Sequence, residues 1–174
     1  MPSLGLGLGL QRSKTSIKPP IYKNLINLVR NGKFEGDTGW STENVEYFTT
    51  SNNTGFFKAT SYNGGIRSTL TLERDSTYFM RAKIKANSDR VTLQIDGTNK
   101  TAHSGNGEFE YVYRKFVWTY SSGTWGVRIR DERAAGQDEI QVTEVMLVKL
   151  EGELANMTVE ELNNILPYIS QTQK

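Results

Sequence analysis

Short alternations of apolar and polar residues dominate the chain from residue 25 to residue 150. In residues 78–85 every second position is apolar, and the positions between include Arg81, Lys83 and Lys85. A period of two is that of a β-strand with one buried and one solvated face. The pattern and the β-branched and aromatic content predict nine strands. They cover residues 25–29, 45–50, 56–61, 66–72, 78–85, 91–96, 109–120, 125–130 and 140–149.

Turn-forming residues separate these runs. Asn63-Gly64-Gly65, Asp96-Gly97 and Ser122-Gly123 tolerate the positive φ angles that tight turns need. No helical period lies between the predicted strands, which disfavours a parallel α/β fold. The sequence therefore predicts an all-β protein, an antiparallel β-sandwich of the jelly-roll type.

The last predicted strand changes phase within its length. Ile140 and Val142 share one face, whereas Val145 and Leu147 occupy positions of the other parity. One extra residue in a strand produces such a change, so we expect a β-bulge near Thr143 or Glu144.

The two ends differ from this β domain, which we assign to residues 24–150. Residues 1–23 contain a Leu-Gly alternation and the pair Pro19-Pro20, which together predict an extended, flexible basic arm. Residues 151–174 are predicted to form an acidic linker and a short amphipathic helix. Thr158 and Glu161 have capping-box spacing, and an apolar stripe follows at Leu162, Ile165, Leu166 and Ile169. This helix packs on the sandwich or contacts a partner or a sister subunit.

Charge is unevenly distributed along the chain. The formal net charge is +2, yet residues 1–34 carry six basic residues and no acidic one. Residues 151–174 carry four acidic residues and one lysine. Charged ends of this kind are either solvated or meet partners.

The composition excludes several kinds of covalent, metal-binding and catalytic site. With 0 Cys and 1 His, the chain lacks the residues for disulfides, thiolate zinc sites and cysteine nucleophiles. His103 lies in a predicted loop, where we expect an exposed imidazole. Glu108 and Glu110 share a strand face and could in principle hydrolyse a glycoside, but such pairs are common on sheets. We expect no enzyme and, since no apolar run approaches about 18 residues, no membrane span.

Aromatic residues suggest a binding surface. Rings act as flat apolar platforms for sugars when polar groups lie beside them. Tyr111 and Tyr113 share one face of a predicted strand whose other face carries Phe116 and Trp118. We predict that the two tyrosines are exposed and bind ligand; the alternative is an ordinary cross-strand pair. Trp40 follows a turn and is assigned to packing.

Basic residues suggest a second kind of ligand. Arg81, Lys83 and Lys85 share one strand face, and Arg128 and Arg130 share another. If these faces are adjacent, they form a basic patch for phosphate or for an anionic wall polymer such as teichoic acid. The alternative is a solvated face neutralised by acidic residues. The β domain is net negative and has no RNA-binding aromatic motif, so no nucleic-acid partner is expected.

Residues 24–40 carry an Asn-Leu-x-x-Asn-Gly-x-Phe-Glu pattern that leads to Gly-Trp. The matching residues are Asn27, Leu28, Asn31, Gly32, Phe34, Glu35, Gly39 and Trp40. This segment, residues 76–83 and residues 139–147 resemble carbohydrate-binding-module-like jelly rolls. Some related sandwiches hold a structural ion between the first loop and the last strand. That resemblance implies a weak Ca²⁺ site at Glu35, Asp37 and Asp138; no other cofactor is expected.

A Leu-Gly arm followed by an arginine, then such a jelly roll and a short helical tail, resembles small tail or baseplate accessory proteins of tailed bacteriophages of Gram-positive hosts. The resemblance implies a non-enzymatic structural protein of the virion tail. Its partners would be other tail proteins and host cell-wall polysaccharide or teichoic acid, and a homo-oligomer is possible. The alternatives are a free carbohydrate-binding module and a cell-wall glycoside hydrolase.

Overall fold

The computed structural model describes residues 24–133 and 138–169. Ten strands and two short helices occur within these residues. They are β1 (Ser41–Glu43), β2 (Val45–Ser51), β3 (Thr54–Ala59), β4 (Gly64–Leu72), β5 (Thr77–Lys85), β6 (Val91–Gln94), β7 (Lys100–Ala102), β8 (Phe109–Val117), β9 (Gly123–Asp131), β10 (Glu139–Leu150), α1 (Gly152–Asn156) and α2 (Val159–Ile165). The predicted arm, residues 1–23, lies outside the described residues. None of the described helices is long and apolar enough to span a membrane.

The strands form two five-stranded sheets. Sheet A has the order β1-β4-β9-β6-β7, and sheet B has the order β2-β3-β10-β5-β8. Neighbouring strands within each described sheet run antiparallel. The predicted antiparallel β-sandwich is therefore confirmed.

Alternate residues of both sheets fill the space between them. Tyr78, Met80 and Ile84 of β5 and Val127 and Ile129 of β9 are fully buried in one apolar cluster. Trp118 directly follows β8 and is also fully buried in this cluster. The remaining positions of these strands point away from this cluster, so the two-residue period of the sequence separates the two faces of each strand as expected.

The prediction of a first strand at residues 25–29 is wrong. These residues run alongside β10 without forming a regular β-ladder. The buried side chain of Asn27 takes the place of main-chain pairing. It donates to the Val145 carbonyl at 3.1 Å and accepts from the Leu147 amide at 3.0 Å, while Leu28 N–H bonds the Leu147 carbonyl at 2.8 Å.

Asn27 binds β10 where that strand is irregular. The pairing of β10 with β5 shifts between Thr143 and Met146, and Glu144 has a φ of 53°. The predicted bulge is confirmed. Two elements were not predicted, β1 and β7, because each has three residues without apolar alternation.

The C-terminal segment packs against the outer face of sheet B. The Thr158 and Glu161 capping box is present at the start of α2, as predicted. Leu154, Leu162 and Leu166 form a second apolar cluster with side chains from β5 and β10, among them Phe79 and Met146. Of the two alternatives for the helix, packing on the sandwich is the one observed.

Candidate functional site

The outer face of sheet B has two halves. Residues 151–169 cover one half, where Phe79, Met146 and Val148 are fully buried. The other half, which we call the open half, is partly or fully accessible along all five strands. It consists of Tyr47, Thr49, Phe56, Lys58, Lys83, Lys85, Phe109, Tyr111, Glu139, Gln141 and Thr143.

The strand register arranges these residues in rows across the sheet. One row runs through direct cross-strand partners in the order Thr49, Phe56, Gln141, Lys85 and Phe109. Adjacent strands lie about 4.8 Å apart, so five residues span roughly 19 Å. The open half thus brings aromatic rings, an amide, a hydroxyl and an ammonium group onto one surface.

Tyr111 lies where the open half meets the covered half. Its side chain is 39% exposed, and its hydroxyl donates a hydrogen bond to the Glu144 carboxylate. The Arg81 guanidinium lies 4.6 Å from the ring centroid and Lys83 Nζ lies 5.7 Å from it. Partial burial and the bond to Glu144 raise the Tyr111 pKa above its ordinary value. The structure confirms that Tyr111 is exposed.

Two other predicted ligand residues on this sheet are not free surface groups. Tyr113 is half-buried and packs against the second apolar cluster, with its ring centroid 6.5 Å from that of Phe79. Arg81 is only 3% exposed. The expectation of a solvent-facing Arg81 was wrong, because the C-terminal segment covers it. Burial lowers the Arg81 pKa from its ordinary value.

The predicted basic patch is divided between the two sheets. Arg81 and Lys83 lie on the outer side of β5 in sheet B, whereas Arg128 and Arg130 lie on the outer side of β9 in sheet A. The core separates the two pairs, so they do not form one patch. Arg130 forms an ion pair with Glu43.

The predicted calcium site is not formed. Glu35 and Asp37 are exposed, and Asp138 forms an ion pair of 3.2 Å with Arg133. Within residues 24–133 and 138–169, no three acidic or histidine side chains come together in a way that could hold a metal ion. The local reason is that Asn31 organises this loop instead. Its side-chain amide donates to the carbonyls of Gly36 and Thr38 at 2.8 and 3.1 Å.

His103 is buried, contrary to the expected exposed loop residue. It is 1% exposed; its Nδ1 accepts from the Gly105 amide at 2.8 Å. Its Nε2 lies 3.1 Å from the Ile84 carbonyl and 3.0 Å from the Glu108 carbonyl. Main-chain groups therefore occupy both ring nitrogens, which fits a structural role. The Glu110 carboxylate accepts hydrogen bonds from the amide and hydroxyl of Ser104.

Phe56, Phe109 and Arg67 were not singled out from the sequence, although each has a signal there. Phe109 has the same strand parity as Tyr111, which places both rings on one face. Phe56 and Arg67 also occupy outward positions of their strands. Their neighbours across the sheet depend on strand order, which alternation does not encode.

Comparison with solved structures supports the fold. The sequence matches no family model and no curated protein. One similar structure is the second N-terminal cellulose-binding domain of a β-1,4-glucanase C from Cellulomonas fimi. It is 14% identical, the match covers 74% of this chain and 97% of that chain, and the TM-score is 0.52.

The same fold occurs in proteins of other kinds. The enzymatically active domain of tailspike protein 4 from bacteriophage CBA120 is 15% identical; the match covers 72% of this chain and 22% of that chain, with a TM-score of 0.51. A cyclase from Fischerella sp. is 15% identical over 74% of this chain and 97% of that chain, with a TM-score of 0.52. These likenesses establish the jelly-roll fold, and function must be argued from the surface.

Proposed function

We propose that this chain is a non-catalytic polysaccharide-binding protein of a phage tail, and that it contacts host cell-wall polysaccharide through the open half of sheet B. The observation that supports this most is the composition of that surface. Exposed rings of Phe109 and Tyr111 lie in the same rows as Lys83, Lys85 and Gln141.

Such a surface suits a sugar polymer for two physical reasons. The C–H faces of pyranose rings lose water when they stack on an aromatic ring, while the sugar hydroxyls need hydrogen-bond partners at the ring edge. The carboxamide of Gln141 supplies both donors and acceptors, and Lys85 supplies donors. Because the row crosses five strands, it fits an extended chain better than a single small sugar.

Two lines of support concern the setting. The Leu-Gly arm, the jelly roll and the helical tail resemble small tail or baseplate accessory proteins, as the sequence indicates. The fold is also that of a domain in a phage tailspike and of a cellulose-binding domain. Non-catalytic function is proposed because the lone histidine and Glu110 are engaged in structural hydrogen bonds.

Polysaccharide binding is tested by affinity electrophoresis of the full chain in gels containing purified cell-wall polysaccharides. We expect retardation that Phe109→Ala and Tyr111→Ala each reduce at least fivefold. Tyr62→Ala is the matched control, because Tyr62 is 53% exposed and lies outside the open half. Equal retardation of all variants would contradict the proposed surface. Release of reducing ends from any retained polymer would contradict the non-catalytic assignment.

The tail setting needs a separate experiment. Labelled protein is mixed with tail particles that lack it, and the particles are sedimented. Co-sedimentation that saturates supports a tail component. A protein that binds wall polysaccharide but never the particles would instead be a free carbohydrate-binding module.

A further inference from the structure

A row of five residues, three of them basic, crosses the outer face of sheet A. Its members are direct cross-strand partners in the order Ser41, Arg67, Arg128, Gln94 and Lys100. Arg67 on β4 therefore lies opposite Arg128 on β9. Like charges in directly opposed positions of a sheet repel each other.

Among the described residues, the two arginines of this row form no ion pair, and the nearby Glu43 carboxylate, which acts on Arg128 electrostatically, is bonded to Arg130 instead. Within residues 24–133 and 138–169, neither guanidinium forms an ion pair or a hydrogen bond, and both Nε atoms are buried without a partner. The other two cations of this face are paired: Arg130 with Glu43, and Lys100 with Glu132. The unpaired positive charge is thus confined to the centre of the face.

The surroundings hold Arg67 in this position. Gly126 lies diagonally across from Arg67, and a Cβ at this glycine would come within 2.3 Å of Arg67 Nε. The missing side chain lets the arginine lie flat across β9. Arg128 also loses solvation there, and its pKa is lowered by burial and by the charges of Arg130 and Arg67. An arginine remains charged even so, and each buried N–H still requires an acceptor.

We propose that the outer face of sheet A binds an anionic polysaccharide, with a phosphate or carboxylate group of the polymer held between Arg67 and Arg128. A planar guanidinium donates two parallel hydrogen bonds to either anion, and one anion relieves the repulsion between both arginines. Ser41 is exposed beside Arg67 at one end of this arginine pair and offers its hydroxyl to a neighbouring sugar. Gln94 at the other end is buried, and its amide donates to Thr92 and Glu132.

The arrangement favours an anionic glycan over a nucleic acid. The row has no aromatic side chain on which bases could stack. An anionic glycan carries no bases and therefore needs no such stacking surface.

This inference rests on the proposed polysaccharide-binding function but concerns the sheet opposite the open half. The two binding proposals can therefore be contradicted independently of each other. Loss of neutral-glycan binding in Tyr111→Ala concerns the open half alone. Loss of anionic-polymer binding in Arg128→Gln concerns the arginine pair alone.

The test measures binding of the full chain to four polymers by affinity electrophoresis: poly(glycerol phosphate), polygalacturonate, dextran and duplex DNA. We expect binding to poly(glycerol phosphate), polygalacturonate or both, and the two arms distinguish a phosphate from a carboxylate ligand. Arg67→Gln and Arg128→Gln should each weaken it at least tenfold. Arg74→Gln removes the same charge from an exposed loop position and should change it less than twofold.

Two further measurements complete the test. Arg67→Lys keeps the positive charge but lacks the planar guanidinium, so we expect an affinity between those of the wild type and Arg67→Gln. Thermal unfolding shows which variants are folded. Several outcomes overturn the proposal: no binding to either poly(glycerol phosphate) or polygalacturonate, equal loss in Arg74→Gln, or tighter binding to DNA than to both of these anionic polymers. Arginine-dependent binding to dextran also overturns it, because dextran carries no charge.

Discussion

Arg81 donates a hydrogen bond of 2.9 Å to the main-chain carbonyl of Leu166. The same guanidinium donates to the Asn163 carbonyl at 3.2 Å, so β5 binds the last turn of α2 and the residue that follows it. The C-terminal segment thereby covers half of sheet B and leaves Tyr111 at the boundary of the open half. A residue expected to bind ligand instead determines which part of the sheet is open.

Leu162→Ala should destabilise the protein by about 3 kcal/mol. Leu162 is fully buried in the second apolar cluster, and its truncation removes buried surface and leaves a cavity. Urea unfolding measures the change. Asn164→Ala is the matched control on the same helix, because Asn164 is exposed and should change stability by less than about 0.5 kcal/mol. Equal effects of the two variants would mean that α2 does not pack on sheet B.

Asn27→Ala should cost about 2 to 3 kcal/mol. The substitution leaves the Val145 carbonyl and the amides of Val29 and Leu147 without their side-chain partner inside the protein. Chemical unfolding compares this variant with Asn24→Ala, an exposed residue of the same segment. If Asn27→Ala is no less stable than Asn24→Ala, the carboxamide does not fasten residues 25–29 to the bulge of β10.

The capping box of α2 predicts a pH dependence. Hydrogen bonds from the Thr158 amide and hydroxyl lower the pKa of Glu161 below its ordinary value. A carboxyl whose folded-state pKa is depressed stabilises the fold above its unfolded pKa of about 4.3, and this stabilisation is lost as pH falls through the folded pKa. Wild type should therefore have a higher Tm than Glu161→Gln at pH 7, with a smaller difference at pH 3. A difference independent of pH would contradict the charged capping interaction.

Tyr47 should titrate abnormally late. Its hydroxyl donates to Glu139 at 2.7 Å, and this bond, with smaller contributions from burial and nearby carboxylates, raises the Tyr47 pKa to about 12. The bond stabilises the fold below pH 10, the ordinary phenol pKa, and is lost as pH rises towards 12. In an ultraviolet titration, Glu139→Gln should bring one tyrosine back towards pH 10. An unchanged curve would show that this pair does not exist in solution.

The sequence predicted the architecture well because a two-residue period reports directly on burial. Tyr78, Met80 and Ile84 are core residues as expected, and the phase break between Val142 and Val145 gave the bulge. The secondary structure of the segment that precedes the first strand was harder to predict. Residues 25–29 look like a strand by composition, but a buried carboxamide replaces their ladder.

The binding surfaces were predicted only in part. Alternation placed Tyr111, Arg128 and Arg130 on outer faces correctly, because parity requires no knowledge of neighbours. Arg81 and Tyr113 were misjudged because the segment that covers them follows them by about 40 to 90 positions in sequence. The opposition of Arg67 and Arg128 also depends on strand order, which no local pattern contains.

The most direct test of polysaccharide binding is a titration calorimetry experiment with the full chain and purified Gram-positive cell-wall polysaccharide, repeated with Tyr111→Ala. Saturable binding by the wild type, weakened at least fivefold in the folded variant, is the predicted result. Absence of binding, or binding to which Tyr111 makes no difference, would contradict the open half of sheet B as the polysaccharide site.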